Sequence, residues 1–445
     1  MFLAVVVILG GHFGSVASSI RYGFLAVAFT KREIPGNMYG FVEGSIFFGY
    51  MAGYFCTSMW NRLTARITPK WMIVFTLGLS SLALSISLMA DFTDNNTIFI
   101  AVSILGRVLH GFAAFPHNVC CLDILKTLFP HKFDLVTGLM QMGYFSGHGV
   151  GEFSGTSLYE NFGYKVPFMF ATSVLTFGTI INLIFLPACP SIAVADGVKD
   201  EKKGDLDDSS DETSISYLVF FPAFACMLIN CVYMYLQIAT APYLYEKFNI
   251  PLTVGGSVLV TVSAGVAIGS SLSGMLAQSK IIDSYTQMII GSAMVALGLL
   301  AMFPSPYFSL IYNYVPYIAY PSALLAGVGD PIITIPTLRA MTNLQISIKG
   351  KCTGKNEVGI FGIWMMGTSC AAYSGALVGG VLIEYLSYYN AAYLLAALCC
   401  VSLVTSAVIK TVLGVVSKIS GDEERVQLLS GSLRVDKYGG YGESL

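Results

Sequence analysis

Long apolar segments separated by short polar ones run along almost the whole chain. A helix needs about 20 largely apolar residues to cross the hydrocarbon core of a bilayer. Only 11% of the residues are charged, whereas soluble domains carry roughly a quarter. The sequence therefore predicts an all-α membrane protein with twelve transmembrane helices. We call the predicted segments spans 1 to 12, and they are 2–29, 39–60, 71–90, 98–122, 133–158, 166–186, 215–236, 253–276, 288–303, 312–338, 358–382 and 391–412.

A polar, mostly acidic segment separates the first six spans from the last six. We expect a first six-helix bundle at 1–188, a cytosolic acidic linker at 189–214, a second six-helix bundle at 215–412 and a cytosolic tail at 413–445. Lys and Arg favour the cytosolic side of a membrane protein. If both termini and the linker are cytosolic, the opposite side keeps few cations, namely Lys31, Arg32, Lys165 and Lys247.

An internal repeat relates the two sets of spans. Span 5 has small residues at every fourth position, and adding 224 to their numbers gives a matching series in span 11. Gly49 and Gly53 of span 2 correspond in the same way to Gly265 and Gly269 of span 8, at a shift of 216. Such stripes let neighbouring helices approach closely, and repeated halves predict a pseudo-two-fold fold with a solute path between them. The candidate packing or gating glycines are Gly143, Gly147, Gly151, Gly155, Gly375 and Gly379.

Composition and motifs exclude several other classes of function. The net charge is −2 and there is no basic run, so nothing indicates nucleic-acid binding. The ten cysteines are scattered through apolar segments and lack the spacing of a metal site. We find no Ser/His/Asp arrangement and no nucleotide-binding loop. We therefore expect no enzyme activity, no metal and no cofactor, and an ion gradient as the energy source.

Three motifs resemble those of the major facilitator superfamily. The segment Asn61-Arg-Leu-Thr-Ala-Arg66, followed by Pro69-Lys70, is similar to a degenerate form of its loop between spans 2 and 3, without the acidic residue. Arg107-Val-Leu-His110-Gly111 resembles its span 4 element. The glycines of span 5 resemble its antiporter motif, with Glu152 where the family has proline.

Within that superfamily the chain resembles the vesicular amine transporter family, particularly its vesicular polyamine members. The similar segments are 162–168, 244–251 and 423–429. The resemblance implies proton-coupled antiport of small organic cations, amines or polyamines, into acidic vesicles. The resemblance also implies that the protein is located in a vesicular or endolysosomal membrane, and the plasma membrane is the alternative location. Glu424, Leu428 and Leu429 have the spacing of an acidic dileucine signal, which would bind a clathrin adaptor.

Ionisable residues inside the spans are costly in lipid, so each is a candidate for function. Arg107 is either the fixed charge of a proton-coupling site or half of a structural ion pair. His110 is either a proton relay or a buried, hydrogen-bonded ring. Glu43 either neutralises Arg21 or binds an amine. The complete candidate set for substrate binding or proton coupling is Arg107, His110, Glu152, Asp330, Glu43, Arg21 and His12.

Asp330 is the carboxylate that we favour most for contact with a cation. It lies in a span that contains Pro316, Pro321, Pro331 and Pro336. These prolines predict a broken helix, and broken helices often line a substrate path. We expect Glu152 either between helices or at the mouth of the path.

One observation opposes an amine as the substrate. Amine transporters of this family have acidic residues on spans 1 and 7, whereas span 1 here offers Arg21 and His12, and span 7 offers Asn230 and Gln237. An organic-anion transporter of the same superfamily is therefore one alternative. A transporter-fold receptor or scaffold that no longer transports is another. The sequence leaves the solute open.

Overall fold

The computed structural model describes residues 2–129, 133–186, 215–279, 281–307, 309–349 and 354–420, and within them it is helical without strands. The predicted linker and the dileucine signal lie outside the described residues. So do the side chains of 61–67, the first part of the degenerate loop motif.

Each predicted span corresponds to helix in the structure. Span 1 consists of two helices, Phe2–Ser19 and Leu25–Lys31. Spans 2 to 6 are Gly36–Phe55, Thr57–Met89, Asn96–Leu128, Phe133–Phe162 and Lys165–Phe185. Spans 7 to 12 are Phe220–Phe248, Leu252–Ser279, Ser284–Met302, Val315–Lys349, Gly354–Leu386 and Tyr388–Ser420, and the short helix Ser309–Tyr312 precedes span 10.

Length and hydropathy separate three of these spans from the others. Among the described residues, nine helices are long and apolar enough to cross a membrane. The spans that fall short are 1, 2 and 5. These are the spans that contain Arg21, Glu43 and Glu152. Span 1 falls short in length, because its interruption leaves a shorter apolar helix, Val5–Ser19.

Each set of six spans has its own apolar core. The first core includes Phe24, Phe99 and Phe168, and the second includes Tyr235, Tyr243 and Phe303. The glycine stripes pack inside each half. A Cβ at Gly147, Gly151 or Gly155 would overlap the backbone of span 1, and a Cβ at Gly375 would overlap the backbone of span 7. Span 5 therefore packs on span 1 as span 11 packs on span 7.

The halves contact each other through two related helix pairs, span 2 with span 11 and span 5 with span 8. A Cβ at Gly40 would meet the Ala376 carbonyl and the backbone of Gly380. A Cβ at Gly256 would meet the Thr156 side chain. Because no side chain intervenes at Gly40, the backbones of spans 2 and 11 approach closely there.

We call the end of the molecule opposite the linker the far end; it carries the turns at 32–35, 163–164 and 249–251. At the far end, two carboxylates form hydrogen bonds between the halves. Glu384 accepts a hydrogen bond from the Asn37 backbone N–H at 2.7 Å. Glu160 accepts from the Thr253 backbone N–H at 3.0 Å and from its hydroxyl at 2.5 Å. Asn37 and Thr253 are the second residues of spans 2 and 8, so each carboxylate binds the first turn of a helix in the other half.

The backbone at the far end follows the same internal repeat. Adding 216 converts Asn37 into Thr253, and adding 224 converts Glu160 into Glu384. The left-handed residues repeat at the same two shifts: Glu33 (φ 58°) matches Asn249 (φ 51°), and Gly163 (φ 81°) matches Ser387 (φ 94°). A left-handed residue just beyond a helix ends it. The duplication detected in the glycines thus extends to the turns and to the carboxylates.

Two predicted features of the helices were wrong. Span 1 was expected to be continuous but is interrupted at 20–24. Span 10 was expected to be broken by its prolines but is one helix, Val315–Lys349. Each proline removes one backbone donor, and membrane helices tolerate this loss when neighbouring groups compensate.

We predict that the far-end carboxylates protect the helix starts that they bind. In Glu384→Ala, amide exchange at Asn37 should rise by roughly threefold or more, and in Glu160→Ala the same should hold at Thr253, because a lost N-terminal cap costs about 1 kcal/mol. Hydrogen–deuterium exchange of the purified protein measures this. The exposed Asp94→Ala is the control, and equal exchange in all three variants would contradict the assignment.

Candidate functional site

The interruption of span 1 lies at the centre of the first half. Its turn is closed by the Tyr22 N–H donating to Ser19 O at 3.0 Å and the Phe24 N–H donating to Arg21 O at 3.2 Å. A Cβ at Gly23 would overlap the Thr156 side chain, so glycine lets the turn lie directly against span 5. An interrupted helix frees backbone carbonyls that must find donors inside the membrane.

Two side chains supply those donors. Arg107 Nη1 donates to the Ser18 carbonyl at 2.8 Å. The Tyr39 hydroxyl donates to the Tyr22 carbonyl at 3.0 Å. Both bonds are buried. Side chains from spans 4 and 2 therefore stabilise the interruption by hydrogen-bonding its free carbonyls.

Arg107 also forms an ion pair with Glu43, and both side chains are fully buried, at 0% exposure. Arg107 Nη2 donates to Glu43 Oε2, and the guanidinium lies over the Tyr22 ring, 5.2 Å from its centroid. Gly49 and Gly111 make this possible, because a Cβ on either would overlap the backbone of the other span. The sequence allowed two roles for Arg107, a structural ion pair or a proton-coupling charge. In the structure Arg107 forms the ion pair.

Glu43 does not form the predicted ion pair with Arg21, but it is within electrostatic range of that residue. Glu43 binds Arg107 instead, because spans 2 and 4 approach at their glycines while the turn at 20–24 directs Arg21 towards span 6. The Arg21 guanidinium lies 5.3 Å from the centroid of the Phe168 ring. The residue is 1% exposed, and its Nε and Nη2 have no hydrogen-bond partner among the described residues.

The histidines of the candidate set lie within the first half. His12 Nδ1 is 3.1 Å from Gly143 O and 3.0 Å from Ser146 Oγ, so it joins spans 1 and 5. His110 is 1% exposed and lines a small cavity together with Tyr50, His117 and Tyr144. Neither ring lies at the contact between the halves that Glu152 occupies.

Glu152 lies between the halves, which was one of its two predicted positions. Its Oε2 accepts a hydrogen bond from the Ser263 hydroxyl of span 8 at 3.0 Å. Its Oε1 has no partner among the described residues, and the side chain is fully buried. Gln237 of span 7 lies beside it, and the Gln237 Nε2 donates to the Tyr233 hydroxyl at 2.8 Å.

Asp330 is the second buried carboxylate without a cation beside it in the described part of the chain. It is 7% exposed, and its Oδ1 has no hydrogen-bond partner there. Its backbone carbonyl accepts from Thr334 Oγ1 at 3.0 Å. Tyr233 is within electrostatic range of both Asp330 and Glu152. Span 7 therefore presents a tyrosine that is within electrostatic range of carboxylates from spans 5 and 10.

An aromatic cluster connects this region with the interruption of span 1. Tyr22 is buried with Met234, Ala372 and Ala376, and Tyr233 packs against them. The His148 ring is stacked on Tyr22 at 6.2 Å between centroids. Tyr22 thus contacts the Arg107 guanidinium, and the same cluster includes Tyr233, which is within electrostatic range of Glu152.

Sequence reasoning did not select four residues of this arrangement as site candidates: Tyr22, His148, Tyr233 and Ser263. Tyr22 and Tyr233 looked like ordinary membrane aromatics. Ser263 is one of many small polar residues in span 8. The signal that could have identified it is its position across from Glu152, which depends on how spans 5 and 8 pack.

Comparison with known proteins gives the family and the fold. A model of the Major Facilitator Superfamily matches residues 1–354. The human protein named MFS-type transporter SLC18B1 is 23% identical over 389 residues, which covers 85% of this chain and 80% of that protein. The mouse protein of the same name is also 23% identical, over 390 residues, covering 84% and 79%. These relatives confirm the resemblance to the vesicular amine, or polyamine, transporter family.

A solved structure shows the same fold. The crystal structure of the nucleoside transporter NupG aligns with a TM-score of 0.64 and 11% identity, over 92% of this chain and 99% of that one. The D323A mutant of that transporter aligns with a TM-score of 0.63 and 12% identity, over 91% and 99%. At such identities the likeness shows the fold alone.

We predict that the Arg107–Glu43 pair is required for stability. Glu43→Gln leaves a buried guanidinium without its counter-charge, which should cost about 3–5 kcal/mol. Asp91→Asn, which breaks the partly exposed pair with Arg32, should cost less than about 1 kcal/mol. Thermal unfolding of the purified protein in detergent compares them. Equal melting temperatures for the two variants would contradict the prediction.

Proposed function

The chain belongs to the major facilitator superfamily, and we propose that it is a proton-coupled antiporter of small organic cations. The observation that carries this proposal is the pair of buried carboxylates, Glu152 and Asp330, which are both within electrostatic range of Tyr233. Each has one oxygen without a partner in the described part of the chain. No other arrangement in the described residues is as well suited to an ammonium group.

Each of these side chains has a separate part in binding. A carboxylate accepts charge-assisted hydrogen bonds from an ammonium, which are about twice as strong as neutral ones. The face of Tyr233 can attract the same cation through its ring quadrupole. A molecule with two ammonium groups could bind Glu152 with one and Asp330 with the other. This supplies the two carboxylates that spans 1 and 7 lack in this sequence.

The same oxygens explain exchange with protons. A buried carboxylate without a partner is costly, so it holds either a proton or a cation. Binding of an ammonium therefore displaces a proton, and binding of a proton releases the ammonium. Each unit of pH difference supplies ~1.4 kcal/mol per proton. Exchange of two protons per solute would then support roughly 100-fold accumulation for one pH unit.

The contacts between the halves suggest how access alternates. In the structure the far end is closed by Glu160 and Glu384. Glu152 is bonded to Ser263 across the same boundary. In the proposed cycle, rocking of the halves separates these contacts and opens the site to the far end, in the manner of repeated transporter halves. The distribution of Lys and Arg makes the far end the non-cytosolic side, and in the proposed cycle this side faces the lumen of an acidic vesicle.

An organic-anion transporter is the second candidate, and Arg21 is the observation that favours it. Both arginines, however, belong to the first half. Arg107 is engaged by Glu43 and by the Ser18 carbonyl. Arg21 faces spans 4 and 6 rather than the second half. Glu152 lies at the boundary between the halves, where it is bonded to Ser263, and this favours a cation.

We predict that both carboxylates are needed for binding a cation. With labelled spermidine as the probe, Glu152→Gln and Asp330→Asn should each raise the Kd of the purified protein at least about tenfold, because a hydrogen bond to a charged group contributes about 1.5–3 kcal/mol. Acidification should weaken binding to the unmodified protein. The control is the exposed Asp94→Asn, which should bind normally. An unchanged Kd in both variants would remove these carboxylates from the site.

A further inference from the structure

The first half contains more buried positive than negative charge. Arg21 and Arg107 are 1% and 0% exposed, and Glu43 is the buried carboxylate beside them. Glu43 is already bound by Arg107. The group of three therefore has an excess of one positive charge inside the membrane, where an unpaired charge costs several kcal/mol on any scale. An anion is the simplest way to balance it.

Arg21 has two buried donors without a partner: its Nε and Nη2 have no hydrogen-bond partner among the described residues. The hydroxyls of Ser103 and Tyr164 lie beside each other, and Tyr164 is within electrostatic range of Arg21. The turn of span 1, span 4 and the start of span 6 thus bring polar groups to one place. A water molecule could satisfy some of these donors but would not balance the charge.

A pocket at the far end adjoins this place through Tyr164. Tyr164 also lines an open pocket of ≈ 260 Å³ together with Lys31, Arg32, Asp91 and Tyr159. Lys165 lies 3.9 Å from the same Asp91. Three cations therefore surround one carboxylate at the mouth, so the pocket is positive and attracts anions. Tyr164 separates this mouth from the buried Arg21.

We propose that Arg21, Ser103 and Tyr164 bind a small monovalent inorganic anion, with chloride as the abundant example. The buried place faces the interior of one half, between spans 1, 4 and 6, so it suits an ion better than an organic substrate. The anion neutralises Arg21 and joins the turn of span 1 to span 6. It enters past Lys31 and Arg32. This proposal does not depend on which solute the protein transports.

The test is thermal unfolding of the purified full-length chain in chloride, bromide or gluconate at matched ionic strength. Chloride and bromide should raise the melting temperature by about 2 °C or more over gluconate, in a saturable way, because a ligand that binds only the folded state stabilises it. Arg21→Gln should abolish the difference. Lys247→Gln removes an exposed cation at the same end and should keep it.

Two milder variants test the proposal even if Arg21→Gln does not fold. Ser103→Ala and Tyr164→Phe each remove one hydroxyl, and each should raise the half-saturating chloride concentration at least about tenfold. Bromide soaked into crystals should give an anomalous peak beside Arg21. The proposal is overturned if chloride and gluconate give the same melting temperature. It is also overturned if the halide effect persists in Arg21→Gln, or if bromide is found only at the Lys31–Arg32 mouth.

Discussion

The contact between Arg107 and the Ser18 carbonyl holds the centre of the molecule together. A helix interrupted inside a membrane is stable only if its freed carbonyls find donors, and here a buried guanidinium supplies one at 2.8 Å. The guanidinium in turn needs a counter-charge, which Glu43 provides. Spans 1, 2 and 4 are thereby joined through one side chain. The interruption directs Tyr22 towards the second half and Arg21 away from it.

The two halves repeat a common backbone but differ in charge. The turns at the far end and the carboxylates Glu160 and Glu384 obey the duplication. The buried charges do not obey it. The first half contains Arg21 and Arg107, whereas the second contains Asp330, and no described basic side chain lies within hydrogen-bond reach of the Asp330 Oδ1. In the proposed cycle the duplicated contacts at the far end separate and re-form, and the charges that are not duplicated bind the solute. The first half would then serve as a fixed electrostatic frame, and the boundary would carry the cation.

Much of the architecture could be predicted from the sequence, because its causes are local. Apolar length predicts the spans, and small residues at every fourth position predict the close helix pairs. The partner of Glu43 could not be predicted, because it depends on the rotation and height of three helices relative to one another. The interruption was expected in span 10 for its prolines. It occurs in span 1, where Gly23 fits against Thr156 and Arg107 reaches Ser18, and both are tertiary effects.

We propose that protons and organic cations exchange at the boundary between the halves, and uptake of labelled spermidine into proteoliposomes with an acidic interior tests this exchange. Accumulation should rise with the imposed pH difference and stop when the gradient is collapsed. Uptake that is unchanged without a gradient, or uptake of an organic anion in place of the amine, would contradict it.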